Sequence, residues 1–209
     1  MYAAWGKLMR GEDGAVDRIH ALADHMLDVA ACLLALARCP AIRRALEQSA
    51  RRVLTEVDLS RLAVIAFLHD IGKANSGFQG RYWTPADPES RWWPRSCGHG
   101  PEGWELISPR GMVAPADRIL QGLPLEAMAE WGDESVLSLL QASISHHGRP
   151  VSDGQPASNA SWQPVRMGTQ LRYDPANTVA AIGRRLLQLY PAAFKATSAA
   201  PVQCIPNDG

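Results

Sequence analysis

The sequence predicts an all-α fold, a helical bundle with long irregular loops. Apolar residues recur at helical spacing in several segments. No segment alternates between apolar and polar residues convincingly enough to indicate a strand, and no internal repeat is visible. The chain has 209 residues, enough for one domain with a substantial core.

The limits of each helix are predicted from apolar spacing and from the residues that begin or end helices. Pro40 ends the first helix, because proline cannot donate to the helical ladder. Asp58 is the expected N-cap of the third helix and Gly72 its expected stop. That helix is apolar nearly all round and is therefore expected at the centre of the bundle. The predicted helices cover residues 20–38, 41–54, 59–70, 101–107, 125–131, 134–147 and 175–189.

Two long segments, 74–97 and 151–172, are predicted as loops, the second with a short extended piece. Long irregular loops are uncommon in compact domains and are often functional. The last residues, KATSAAPVQCIPNDG, are small, polar and proline-containing, and they are predicted to be a flexible tail.

Composition limits the classes of function. The formal net charge is zero, so the chain is no nucleic-acid binder that relies on bulk positive charge. The four cysteines form no Cys-x-x-Cys pair, which argues against a thiolate zinc site. The sequence shows no signal-peptide pattern and no apolar stretch of membrane-spanning length. These features predict a cytoplasmic protein with free thiols and no membrane partner.

The pair His69-Asp70 stands at the end of the most apolar helix. A carboxylate there is costly to bury unless it is paired or bound to a metal. Neighbouring residues of a helix point about 100° apart, so the two side chains need not share one ion. Asp70 has two oxygens and could bridge two metals while His69 binds one. Taken alone, the dipeptide is better explained as a helix-end histidine beside a solvated aspartate.

Other residues change that balance. Lys73, in HDIGK, could neutralise a phosphate oxygen, or it could simply stabilise the helix terminus. Asp28 lies one turn after His25 and could orient its ring as a hydrogen-bond acceptor. Each further histidine alone could be an ordinary loop or surface residue. Together they predict a metal site whose ligands are His25, His69, Asp70, His99, His146 and His147.

The segment 81–95, RYWTPADPESRWWPR, interleaves arginines with aromatic residues. Arginines can follow a phosphate backbone while aromatic rings stack on bases, which suits single strands of any sequence. Tryptophans are, however, usually well buried, so packing on the helices or on a partner protein explains them slightly better. The candidate substrate contacts are Arg81, Trp83, Arg91, Trp92 and Trp93.

With these motifs in place, the chain resembles the HD nuclease domain of the type I CRISPR-associated helicase/nuclease. The resemblance rests on YAAWGK, HMLDVAA, FLHDIGKANSGFQ, GHG and SISHHG, and it covers Trp5 to about Phe194. It implies an HD-domain helical bundle around a metal site, with 1–195 as the nuclease domain and 196–209 as a tail. It also implies that the six ligands named above hold one or two divalent ions.

The implied activity is metal-dependent cleavage of single-stranded DNA, by endo- or exonuclease action, in CRISPR interference. Asp70 and Lys73 would be its catalytic residues. An imidazole-rich site favours manganese, iron, nickel, cobalt or zinc over magnesium. The implied partners are single-stranded DNA, a guide-RNA surveillance complex and a helicase. Two alternatives stay open: a phosphohydrolase of small nucleotides, and an inactive HD domain that only docks.

The sequence departs from the family in two places. The family has a further helix with Ala-Asp-Trp, whose aspartate completes one metal site, and that motif is missing here. Asp174 and Asp208 are the available substitutes, and the chain is expected to stop before the helix concerned. No phosphate-binding Gly-x-x-x-x-Gly-Lys-Ser/Thr loop is present, so the helicase is expected on a separate chain or on a missing C-terminal part.

Overall fold

The computed structural model describes residues 4–111, 116–155 and 159–195, and the predicted tail 196–209 lies outside these ranges. The described chain is mainly helical. Its α-helices are α1 (Leu22–Ala37), α2 (Pro40–Ala50), α3 (Glu56–Phe67), α4 (Ser76–Gln79), α5 (Gly100–Ile107), α6 (Ala116–Leu120), α7 (Leu125–Ala129), α8 (Asp133–Ile144) and α9 (Pro175–Leu189). The predicted helical bundle is therefore confirmed in outline, and α9 has the predicted limits.

Two small antiparallel sheets correct the all-α prediction. They are formed by β1 (Trp5–Arg10) with β2 (Val16–Ala21), and by β3 (Val165–Met167) with β4 (Gln170–Tyr173). In the first hairpin Lys7 lies opposite His20, with irregular register after Trp5 and after Met9. Most of its residues are exposed or half-buried. A strand that buries little and carries bulges shows no clean alternation, which explains why the sequence pattern did not reveal it.

Helix α3 lies at the centre, as predicted, and most of its side chains are buried. Asp58 is not its N-cap. Thr55 caps the helix, and Asp58 completes a capping box by accepting from the Thr55 backbone. The helix also ends earlier than predicted, at Phe67, and continues as a tighter 3-10 helix, Leu68–Ala74, whose residues are all buried.

The segment 74–97 is less irregular than predicted. It contains α4 and the short 3-10 helices Gly80–Tyr82 and Pro88–Trp92. Gln79 of α4 is joined to Trp5 of β1 by three hydrogen bonds of 2.9 to 3.2 Å. These hydrogen bonds join the hairpin directly to the start of this segment.

Among the described residues no single helix is both long and apolar enough to cross a membrane. The pair α1 and α2, bent by 92°, meets the same test by length and composition only. The cytoplasmic location stays a prediction.

Candidate metal centre

The candidate ligands come from four separate segments of the chain. His25 lies on the first turn of α1, and the 3-10 helix after α3 contributes His69 and Asp70. His99 precedes α5 as its N-cap residue. His146 and His147 follow the end of α8. The structure brings all six predicted ligands together in two groups that share Asp70.

Asp70 lies at the centre of the cluster and is 1% exposed. Its Oδ2 lies 2.9 Å from Nε2 of His25 and 3.1 Å from Nε2 of His69. Its Oδ1 lies 3.0 Å from Nε2 of His99 and 3.5 Å from Nε2 of His146. Each carboxylate oxygen therefore faces a different pair of imidazoles, which is the arrangement expected of a carboxylate that bridges two ions.

Backbone carbonyls at helix ends orient two of the rings. Nδ1 of His69 donates to the Ala66 carbonyl at 2.8 Å, and Nδ1 of His146 donates to the Ser143 carbonyl at 3.0 Å. The last carbonyls of a helix have no intrahelical partner, so they are available as acceptors. This bond places the proton of a neutral ring on Nδ1 and leaves the Nε2 lone pair directed at Asp70, as in known metal sites.

The polar atoms of the cluster fit a bound cation. Burial lowers the pKa of His146, which favours its neutral, metal-binding form. Within the described residues no group donates a well-aligned hydrogen bond to the buried Oδ1 of Asp70. Nε2 of His99 and Nε2 of His147 lie only 2.9 Å apart. Ring nitrogens and a carboxylate oxygen that converge at these separations match a set of ligands around transition-metal ions.

Lys73 neutralises part of the buried negative charge. In a 3-10 helix residues i and i+3 are eclipsed, and Nζ of Lys73 accordingly lies 2.6 Å from Oδ2 of Asp70. Burial raises the pKa of Asp70, but the contacts of His69, His99 and Lys73 outweigh that effect and hold the pKa well below its usual range. Asp70 is therefore a carboxylate rather than a carboxylic acid.

The predicted role of Asp28 is not what the structure shows. The side chain of Asp28 is exposed and its Oδ2 lies 3.0 Å from Nε2 of His20, the one histidine left out of the predicted site. The hairpin carries His20 to this position, and a hairpin was not predicted. Nε2 of His25 contacts Asp70 instead.

Neither substitute for the missing family aspartate joins the cluster in the described chain. Asp174 caps α9 through the Ala176 backbone and forms an ion pair of 2.6 Å with Arg118. It is absent from both His/Asp groups found among the described residues. Asp208 lies outside the described ranges.

The arginine and tryptophan residues of the predicted substrate path have different environments. Trp92 is 38% exposed, and the Arg91 guanidinium lies over its ring at 5.0 Å. Trp93 is half-buried and packs against Tyr173, with ring centroids 5.7 Å apart. Part of the segment therefore serves the packing of the domain, as the alternative interpretation expected.

Arg81 and Trp83 lie at the start of the same segment. The exposed Arg81 reaches over the ring of Phe78 at 5.3 Å, and Phe78 in turn lies 5.3 Å from the ring of His99. Trp83 is half-buried and meets Tyr82 edge to face. Arg81 is thus separated from the histidine cluster by a single buried ring.

Sequence reasoning missed two kinds of site residue. The carbonyl acceptors of Ala66 and Ser143 could have been inferred, since each precedes a helix-end histidine by three residues. Lys7 also borders the cavity above the cluster. Its only sequence signal is the motif YAAWGK, which indicates the family resemblance but does not by itself place the lysine at the site.

Comparison with known proteins gives the family. The model of the family described as "Cas3, HD domain" matches residues 5–206. The chain belongs to this family. No curated protein and no solved structure matches it significantly. Membership in the Cas3 HD family implies hydrolase activity of the nuclease type in a CRISPR setting, and HD domains bind divalent metals. The His/Asp groups around Asp70 could hold such ions.

Proposed function

We propose that this Cas3 HD domain is a metal-dependent nuclease that cuts single-stranded DNA. One observation carries the proposal: the two oxygens of the buried Asp70 carboxylate face two different sets of imidazoles. A carboxylate placed in this way could hold two ions close together, and two neighbouring ions are one established means of phosphodiester hydrolysis. The imidazole-rich donor set favours manganese, iron, nickel, cobalt or zinc.

The ions, when bound, would activate water and neutralise the charge that develops on the phosphate. The residues of the chain have supporting roles. Asp70 would be shared by the two ions, and the imidazoles of His25, His69, His99, His146 and His147 would complete the two sets of ligands. Lys73 compensates the carboxylate, so that Asp70 is retained in its charged form. No side-chain base is needed for this chemistry.

A strand approaching the cluster would meet basic and aromatic groups of the segment 81–95. The exposed stack of Arg91 and Trp92 offers a sequence-tolerant contact for a base and its phosphate. Arg81 lies closer to the cluster, one ring away from His99. Because the net charge of the chain is zero, such local contacts have to replace bulk attraction.

The proposal is tested with circular single-stranded DNA and added manganese or nickel, after the metal content of the purified protein has been measured. Wild-type protein is expected to bind metal and to linearise the circle. Asp70→Asn removes the negative charge shared by both sets of ligands and is expected to lower the cleavage rate more than about 100-fold. This is more than the usual effect of removing a residue that only hydrogen-bonds to a metal ligand. A chelator should abolish cleavage in the same assay.

Asp24→Asn is a matched control. Asp24 lies on α1 like His25, but its carboxylate is exposed, and within the described part of the chain its only ion pair is with Arg185 at 3.1 Å. An exposed ion pair of this kind contributes little to stability. The variant should cut like wild type. Hydrolysis of cyclic dinucleotides with DNA left intact would favour the small-nucleotide phosphohydrolase instead. A protein that binds no metal and cuts nothing would leave the docking role.

A further inference from the structure

The phosphate contact first expected of Lys73 is not available in this structure. Lys73 is 8% exposed, and its Nζ lies 2.6 Å from Asp70 Oδ2 and 3.2 Å from the Gly6 carbonyl. The ammonium also lies over the ring of Phe78 at 5.6 Å. These contacts use its charge within the protein. Turning Nζ toward a substrate would leave a buried carboxylate without its partner, which is costly.

A second lysine borders the same site. The cavity above the cluster has a volume of about 430 Å³, and Lys7 lines it together with His25, His146 and Lys73. Lys7 is exposed. Among the described residues it has neither an ion-pair partner nor a side-chain hydrogen bond, so its ammonium is free to meet an anion at the cavity.

The backbone of Lys7 is held in place although its side chain is free. On one side, Trp5 is joined to Gln79 by three hydrogen bonds. On the other, a Cβ at Gly6 would lie 2.8 Å from Cβ of His25, so the strand packs directly against the helix that carries this ligand. The Gly6 carbonyl also accepts from Lys73. A fixed backbone that carries a long, exposed and unpaired cation suits the capture of a phosphate beside the reacting one.

We infer that Lys7, and not Lys73, contacts a phosphate oxygen of the substrate strand at the metal centre. The inference rests on the proposed nuclease function. Lys73 then belongs to the electrostatic support of Asp70. Lys7 supplies a positive charge that the composition of the chain does not provide in bulk.

The test compares lysine variants in the cleavage of a labelled oligothymidylate with manganese, over a range of salt concentrations. Lys7→Met is expected to raise KM about tenfold and to change kcat less than about twofold, because one phosphate contact is lost. The slope of log(kcat/KM) against log salt should flatten by about 0.7, the value for one contact to a single strand. Lys7→Arg should restore both quantities, and metal content should match wild type.

Lys195→Met is the matched control, because Lys195 is also exposed but does not line the cavity. It should behave as wild type. Three results would overturn the inference: an unchanged KM and salt slope in Lys7→Met, loss of metal from that variant, or a flattened salt slope in Lys73→Met instead. In each case, cleavage by the wild-type protein would still support the proposed nuclease function. Wild-type protein that binds metal but does not cut the strand would overturn the proposed function and this inference with it.

Discussion

Gly72 determines how closely α5 approaches Asp70. A Cβ at this position would lie 1.8 Å from the carbonyl oxygen of His99 and 2.9 Å from the amide nitrogen of Gly103. Both of these are backbone atoms and cannot move aside as a flexible side chain would. A glycine is therefore required at this position of HDIGK on steric grounds, because a larger residue would push His99 away from the Asp70 carboxylate.

Gly72→Ala is expected to lower the free energy of unfolding by about 1–3 kcal/mol, the usual range for an overpacked core. It should also weaken metal binding, because His99 must move away from Asp70. Thermal melting and a metal titration measure the two effects. Gly98→Ala is the control, since its Cβ would meet only Oε2 of Glu102 at an ordinary 3.5 Å. Equal behaviour of the two variants would contradict this explanation.

At the scale of a single element, hydrogen bonds to a buried carboxylate stabilise the N-terminus of α3. Arg52 donates to both oxygens of Asp58 at 2.7 Å, and the Thr55 amide donates to Oδ2 at 2.7 Å. Burial raises the pKa of Asp58, but these hydrogen bonds outweigh it and lower the pKa from 3.8 to about 2. The carboxylate thus favours the folded state, because it is harder to protonate there than in the unfolded chain.

This network predicts a contribution to stability that depends on pH. It is fully present above the unfolded pKa of 3.8 and is lost as pH falls through the folded value of about 2. The difference corresponds to about 2 kcal/mol. Urea unfolding between about pH 5 and pH 2 measures it. Between these two pH values, Asp58→Asn should lose about 2 kcal/mol less of its free energy of unfolding than wild type does. An equal loss in the two proteins would contradict the contribution assigned to Asp58.

We predict that two neighbouring tryptophans of the segment 81–95 have different tasks, Trp92 in DNA binding and Trp93 in packing. Trp92→Ala is expected to weaken binding of single-stranded DNA several-fold, since base stacking contributes about 1–3 kcal/mol, and to change the melting temperature little. Trp93→Ala should do the reverse, because its ring packs on Tyr173. Filter binding and thermal melting of the two variants separate the tasks. If one variant were the more impaired in both DNA binding and melting temperature, the two tryptophans would not have separate tasks.

At the scale of the whole molecule, the candidate metal centre depends on contacts between distant parts of the chain. The candidate ligands span residues 25 to 147, and Lys7 of β1 lines the cavity beside them. The hairpin reaches α4 through Trp5 and Gln79, and α5 reaches the 3-10 helix through Gly72. Each of these contacts joins segments that local sequence patterns treat separately.

The helices were predictable because their apolar periodicity is local. The central position of α3 followed from its nearly continuous apolar surface, and the limits of α9 from Pro175 and the apolar spacing that follows it. The hairpin was missed, since its strands bury little and carry bulges. The cap of α3 was misplaced by three residues, because a capping box contains two residues able to accept a hydrogen bond.

The sequence by itself determined the helical class, the family motifs and the set of histidines and the aspartate that could hold a metal. Ligand type and order along the chain are properties of the residues and need no coordinates. Tertiary structure decided which partners these groups have: Asp70 between two pairs of imidazoles, Asp28 with His20, Lys73 turned inward and Lys7 left at the cavity mouth. Such pairings depend on packing between segments far apart in sequence, which periodicity and motif spacing do not encode.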